Sequence, residues 1–328
     1  MRNTLRSRAR FIDTRLGWIV DDRDELGINC TGLDQEKRAR IFRQNSFMKP
    51  VFQAGDTLAE CLKNSTLPAL EARILIAHIT QLTRVQLITQ SESHLNTDQA
   101  DTLNTMIAKR LAGEPIAYLI GEREFYGLKF TVTPAVLIPR PETELLVELA
   151  LTKTPAHAQV LDLGTGSGAI AIAFASQRQD CQVTALDMSA AALTIARLNA
   201  DQLGIDTARL SFIESDWYQN IAEKKYHSIL SNPPYIEKND AHLQQGDLRF
   251  EPLQALTDFA DGLSAYRQII SGAGSHLHEG GWLLMEHGYD QAEAVQALLK
   301  TAGFKEIQSW PDLAGILRVT GGILREEK

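Results

Sequence analysis

Cysteine is scarce: Cys30, Cys61 and Cys181 are the only three in 328 residues, and no Cys-x-x-Cys pair occurs. An odd, widely spread set argues against a disulfide framework and against a thiolate zinc site. The eight histidines include no His-x-x-x-His spacing, and His276, His278 and His287 straddle a loop and a strand, so no metal centre is expected. No apolar run approaches the roughly 18 residues that a bilayer span requires. Arg2, Arg6, Arg8 and Arg10 have no apolar segment behind them, which excludes a secretory signal, and Asp21, Asp22, Asp24 and Glu25 tell against a transit peptide. Ser167 and Ser231 lack a nucleophile-elbow setting. Positive charge is also short. Residues 134–328 carry 15 Lys and Arg against 25 Asp and Glu, while residues 1–133 carry 18 against 16. An acidic C-terminal half is a poor partner for a phosphate backbone. A reducing cytoplasm is the expected setting, with neither membrane nor nucleic acid as partner.

What is present is ordinary in bulk and patterned in detail. Hydrophobic residues make up 44% and charged residues 23%, values of a globular chain, and the length suggests two domains. Residues 1–47 mix Arg, Asp and Gly without a sustained apolar period and read as a disordered extension, dispensable for chemistry. Residues 48–120 read as a small helical bundle. Pro68 suits a first helical turn, Leu70, Ile74, Ala77 and His78 recur at helical spacing, Thr97 is the expected cap of a helix over 98–111, and Gly113 its stop. Residues 121–138 read as a β-hairpin linker, since Glu124–Thr133 alternates around Gly127.

From 139 to 328 strands and helices alternate. Strands are expected near 159–163, 182–186, 209–213, 226–231, 281–286, 305–310 and 315–320. Helices are expected from Pro141 and near 168–177, 189–203, 263–278 and 290–302. This order predicts an α/β domain with a mostly parallel sheet covered on both faces. Ligands of such sheets bind at the carboxyl ends of strands, where Asp162, Asp187, Asp216 and Asn232 fall.

Two turns carry the chemistry. The first, Gly164-Thr165-Gly166-Ser167-Gly168, follows the apolar run Val160–Leu163. Its glycines let the backbone approach a nucleotide-like cofactor, but alone they fit a dinucleotide equally well. Asp162 separates the cases: a pyrophosphate seldom wants a carboxylate beside it, whereas the ammonium and sulfonium of S-adenosyl-L-methionine welcome one. Asp187, 23 residues after Gly164, can accept both ribose hydroxyls, a role shared with dinucleotide enzymes. Asp216 can hold the adenine amino group and Trp217 can cover its ring, or Trp217 can serve packing alone. The second turn is Asn232-Pro233-Pro234-Tyr235. Two prolines stiffen it and leave its carbonyls available. The Asn232 oxygen and the Pro233 carbonyl can each accept an N–H of a planar –NH₂ group, the Asn232 amide can donate to a neighbouring carbonyl, and Tyr235 can wall the plane. A cofactor pocket beside an amine-gripping pocket suggests group transfer to nitrogen. Glu286 and His287 could border such a site, although packing explains them as well.

These turns, together with Gly121–Glu144, Glu251-Pro-Leu-Gln-Ala-Leu, Asp261-Gly-Leu and Asp312-Leu-Ala-Gly, resemble the HemK/PrmC family, the release-factor glutamine methyltransferases. The resemblance covers about residues 50–321. It implies a Rossmann-like class I S-adenosylmethionine methyltransferase sheet, an N-terminal domain that helps recognise a protein substrate, and N5-methylation of the glutamine in the Gly-Gly-Gln loop of class-I peptide-chain release factors. One departure is visible: the family usually has Asp before the Arg of its last strand, and here Leu317 precedes Arg318. A methyltransferase of adenine or cytosine amino groups would use the same second turn. A nicotinamide-dependent dehydrogenase would leave that turn unexplained, and a non-catalytic binding protein would leave both motifs without purpose.

Overall fold

The computed structural model describes residues 52–325 and the backbone of two short paired segments, β1 (Ile12–Asp13) and β2 (Trp18–Ile19). Those four residues aside, the expectation for residues 1–47 lies outside the described residues.

Five helices follow: α1 (Leu58–Asn64), α2 (Ala69–Thr80), α3 (Arg84–Thr89), α4 (Thr97–Leu111) and α5 (Ile116–Ile120). Reciprocal caps start three of them, with Thr57 paired to Glu60, Thr83 to Gln86 and Asn96 to Gln99. The cap of α4 is thus Asn96, one residue before the expected Thr97. Asn96 Oδ1 accepts from the Gln99 amide at 2.8 Å, and Gln99 returns to the Asn96 N–H at 3.0 Å. A start at Thr97 would place Ala100 at the reciprocating position, with nothing to return. Leu58, Cys61, Leu75, Ile76, Leu103 and Ile107 close the core of this module. Each such side chain contributes on the order of 2 kcal/mol by leaving water.

The hairpin pairs β3 (Glu122–Phe125) with β4 (Leu128–Thr131) across Tyr126-Gly127, both at positive φ, as a tight two-residue turn requires. Phe125 and Phe130 are buried against the helices of the following domain. Asn199, fully buried, joins the hairpin to the glycine turn: it bridges the Thr131 N–H and C=O and also donates to Ser167 O at 2.9 Å.

The third part begins with a 3₁₀ turn, Pro141–Thr143, that runs into α6 (Glu144–Lys153). Then come β5 (Gln159–Leu163), α7 (Ala169–Gln177), β6 (Gln182–Asp187), α8 (Ala190–Gln202), β7 (Leu210–Glu214), β8 (Tyr226–Ser231), α9 (Leu253–Leu256), α10 (Ser264–His276), β9 (Leu277–Glu286), α11 (Ala292–Thr301), β10 (Lys305–Pro311) and β11 (Leu317–Ile323). The strands form one sheet in the order β10-β11-β9-β8-β5-β6-β7, parallel from β9 to β7 and antiparallel at β11 and β10. Alternation decides the faces. Val160, Val183 and Leu230 meet α6 and α7, whereas Leu161, Leu163, Ile229 and Leu283 meet α10 and α11. β9 starts four residues before its expected position. Gly280-Gly281 looks like a break in sequence, but it is accommodated by a register shift opposite Tyr226 and Ser228. The order reverses at β5, which has β6 on one side and β8 on the other, so the loops leaving these strands diverge and open a crevice. No helix among the described residues is long and apolar enough to cross a membrane.

Candidate active site

The crevice is lined by Gly164 and Gly166 after β5, Asp187 after β6, Asp216 and Trp217 after β7, and Asn232 and Pro234 after β8. Of the sequence-predicted residues, Asp162, Thr165, Ser167, Gly168, Pro233 and Tyr235 stand behind this lining rather than in it. Gly164 and Gly166 have φ of +73° and +55°, and no atom lies within 4 Å of where their Cβ would be, so a side chain there would intrude into open space. The turn is pinned to the next strand, because the Gly164 and Thr165 amides both donate to Leu186 O, at 2.9 and 2.8 Å. Asp187 accepts from Gly166 N and Ser189 N, each at 2.9 Å, and burial nonetheless holds its carboxyl above the usual range. Each carboxylate oxygen keeps lone pairs for a further donor.

Asp162 is fully buried. Thr165 Oγ1 donates to its Oδ2 at 2.7 Å, while Oδ1 has no partner. Desolvation, only partly opposed by the bonds from Thr165 and Ala171, raises its pKa from 3.8 to about 7. The folded carboxyl therefore keeps its proton where the unfolded one has lost it, and stability falls as pH rises between those values. Asp162→Asn, which cannot ionise, is expected to be several kcal/mol, about 4 from that interval, more stable than wild type at pH 8 and nearly equal at pH 4. Urea denaturation at the two pH values, without ligand, checks this; a variant less stable at pH 8 would contradict the buried charge.

Asp216 is exposed at the rim. Trp217 takes φ of +47°, unusual for a large side chain, and Ser215 holds it there by donating Oγ to Trp217 O at 2.7 Å. Its indole packs on the α10 face of the sheet as well as lining the crevice. At the second turn, Ser231 Oγ donates to Leu163 O at 2.8 Å, locking the ends of β8 and β5 together. Asn232 Nδ2 donates to Thr143 Oγ1 at 3.2 Å. One hydrogen of Nδ2 is thereby committed, leaving the other and the whole of Oδ1. Among the described residues no backbone N–H donates to the Pro233 carbonyl. Tyr235 packs with the α10 face, and burial pushes its phenol far above the ordinary value. Its carbonyl accepts from Gln291 Nε2 at 3.0 Å and would lie 2.6 Å from a Cβ on Gly262. That close approach, with φ of +75°, is why Asp261-Gly-Leu carries glycine.

Sequence reasoning missed two walls. One is the linker segment Ala135, Val136 and Leu137; the other is Pro252, Gln254 and Ala255. Both lie in quoted motifs, yet nothing in spacing says that they face each other. The tie between them is Glu251, whose carboxylate accepts from the Ile138 N–H at 3.2 Å and pairs with Arg140. Burial raises the Glu251 pKa, and Arg140 counters only part of that. Tyr118 donates to Val136 O at 2.6 Å, so the helical module also braces the linker wall. Arg110, paired with Glu71 at 2.8 Å and Asp247 at 3.2 Å, fixes the module to the segment before Glu251. Arg318, next to the divergent Leu317, pairs with Asp312 at 3.4 Å.

Residues 53–121 match the PrmC N-terminal domain and residues 141–248 the Methyltransferase small domain. A release factor glutamine methyltransferase of Burkholderia pseudomallei is 54% identical over 275 residues, 82% of this chain and 96% of that protein. Its counterpart in Neisseria gonorrhoeae is 50% identical over 268 residues, 81% and 97% of the two chains. The crystal structure of a release factor-specific protein-(glutamine-N5) methyltransferase from Alicyclobacillus acidocaldarius is 30% identical, with a TM-score of 0.36, and covers 60% of this chain and 100% of that one. Identity of this degree across nearly the whole length of the curated relatives, both turns included, settles the family: the chain belongs to the release factor glutamine methyltransferases.

Proposed function

We propose that this chain transfers a methyl group from S-adenosyl-L-methionine to N5 of the glutamine in the Gly-Gly-Gln loop of class-I peptide-chain release factors. The observation that carries the reading is the position of Asn232, which lines the same crevice as the glycine cradle and Asp187 with its Oδ1 uncommitted. Family membership supports the substrate class, and the braced helical module, described from Phe52 to Ile120, offers a second surface for a protein substrate.

The residues present fit the cofactor. A Cβ on Gly164 or Gly166 would project into open space at the crevice, and without one the backbone of the turn is left open to a ligand. Asp162 supplies a buried carboxylate with one unpartnered oxygen, suited to an ammonium group nearby. Asp187 retains lone pairs that would accept two ribose hydroxyls, and Asp216 and Trp217, on the same crevice, would hold and cover the adenine. When bound, S-adenosylmethionine supplies an electrophilic methyl group on a sulfonium.

The protein's share is placement and charge. A carboxamide nitrogen is a weak nucleophile because its lone pair is delocalised into the carbonyl. Asn232 Oδ1, taking one N–H, would turn that lone pair towards the methyl group and offset the positive charge that grows on nitrogen; the Pro233 carbonyl, behind the lining but without a backbone donor, is the acceptor proposed for the other N–H. Pro234 fixes the turn at the crevice wall, and Tyr235 stiffens it from behind. Positioning of this kind can supply roughly 7–11 kcal/mol of a barrier. One N–H proton passes to water after transfer.

Incubation with labelled S-adenosylmethionine, separately with a release factor, DNA and RNA, tests the reading. Label is expected in the release factor, and not when its Gly-Gly-Gln glutamine is replaced. Label in DNA or RNA alone would overturn it. Asp187→Ala is expected to weaken S-adenosylhomocysteine binding by roughly 1.5–3 kcal/mol, the worth of hydrogen bonds to a charged group. Calorimetric titration measures this, and binding of NADH with no response to either S-adenosyl compound would sink the cofactor assignment.

A further inference from the structure

The second turn is held from behind by groups that the mechanism above does not use. β8 and β9 run parallel with Ser231 opposite Met285, so the next residues, Asn232 and Glu286, leave the sheet side by side. Glu286 is 1% exposed and Thr143, from the 3₁₀ turn before α6, is 4% exposed. Burial raises the Glu286 carboxyl above its usual range, and the neighbouring Thr143 hydroxyl opposes this most, with Arg318, Glu142 and Arg140 as the other charges around it. The same Thr143 Oγ1 accepts from Asn232 Nδ2 at 3.2 Å. Glu286 Oε2 has no protein partner, so the carboxylate is kept buried without being fully satisfied, which is costly for a group with a merely structural task.

We propose that Thr143, backed by Glu286, is a positioning residue that sets which way the Asn232 amide faces. The inference rests on the reading of Asn232 given above. A hydroxyl has one hydrogen. With that hydrogen turned to the carboxylate, Thr143 Oγ1 can only accept, so Asn232 must present N–H to it. The flipped amide would set oxygen against oxygen. Asn232 Oδ1 is thereby aimed away from Thr143 and left for the substrate N–H before any substrate arrives. Thr143 itself touches neither substrate nor cofactor, since neither it nor Glu286 lines the crevice.

The test is single-turnover methylation of a release factor at saturating cofactor, with S-adenosylhomocysteine titration alongside. The variants are Thr143→Val, Thr143→Ser, Asn232→Ala and Asn232→Ala/Thr143→Val. Thr143→Val is expected to lose about tenfold or more in rate, the scale of a misplaced reacting group, with cofactor affinity nearly unchanged. Thr143→Ser, which keeps the hydroxyl, is expected to recover most of the rate. The double variant is expected to be no slower than Asn232→Ala, because a residue acting only through Asn232 has nothing left to act on. A wild-type rate in Thr143→Val, a Thr143→Ser variant as slow as Thr143→Val, or losses that multiply in the double variant would each overturn the proposal. Should Thr143→Val fail to fold by thermal melting, Thr143→Ala takes its place and is read the same way. Absence of methylation by the wild type would instead reject the underlying reading.

Discussion

Asn232→Ala is expected to slow single-turnover methylation of a release factor about 100-fold or more, the scale of a lost positioning contact or stabilising hydrogen bond. Cofactor affinity should change far less, because Asp187, Asp162 and the glycine cradle hang on other strands. Alanine removes the acceptor for the substrate N–H and also the donor to Thr143. Asn232→Asp separates these roles. It keeps acceptor oxygens but loses the donor, and it sets a second carboxylate beside Glu286, whose own pKa burial already raises from 4.5 to about 7. Two carboxylates so placed resist ionising together. The aspartate variant should therefore be as slow as alanine near neutral pH despite its near-identical shape. Single-turnover rates and cofactor titration for the three proteins decide it. Near-normal transfer by Asn232→Ala would remove this residue from the mechanism and leave the motif as a tight turn.

Periodicity made the sheet legible. Val160-Leu-Asp-Leu and Tyr226-His-Ser-Ile-Leu-Ser are short apolar runs that end in turn residues, and both are central parallel strands, buried on both faces. Local rules worked less well where tertiary contact decided the outcome. The start of α4 went to Asn96 because Gln99 could reciprocate. Gly280-Gly281 stayed within β9 because a register shift absorbed them. The residues that touch the crevice from the sheet were legible too, since strand ends in such folds face ligands. The opposing walls were not. Val136 and Pro252 lie more than a hundred residues apart, and their meeting depends on Glu251, a carboxylate whose partner no spacing reveals. Glu286 was weighed against packing from sequence. Its place beside Asn232 emerges only from the register of β8 and β9.

The Arg140–Glu251 tie should prove the most sensitive point of the scaffold. Glu251 has no exposed side-chain surface, whereas 30% of the Arg140 side chain is exposed. Removing the arginine strands a buried carboxylate, which typically costs about 3–5 kcal/mol, and the partial exposure of the pair places the expectation near the lower end, about 3 kcal/mol for Arg140→Leu. Leucine is the better probe because it keeps apolar contact along the arginine stem. The sign with pH follows from burial. Glu251 already has a raised pKa with Arg140 present, and loss of that cation raises it further. The folded variant then holds a proton that the unfolded chain has released, so its stability falls as pH climbs above the ordinary carboxylate range. Urea midpoints should show a larger deficit at pH 8 than at pH 5. Arg140→Leu/Glu251→Gln should recover most of the loss, because the glutamine oxygen can still accept from the Ile138 N–H while no charge is buried. The single variant should also bind S-adenosylhomocysteine more weakly, since Ala135–Leu137 and Pro252–Ala255 lose the bond that sets their separation. A deficit equal at both pH values, or no recovery in the double variant, would show that packing rather than the buried charge holds these walls together.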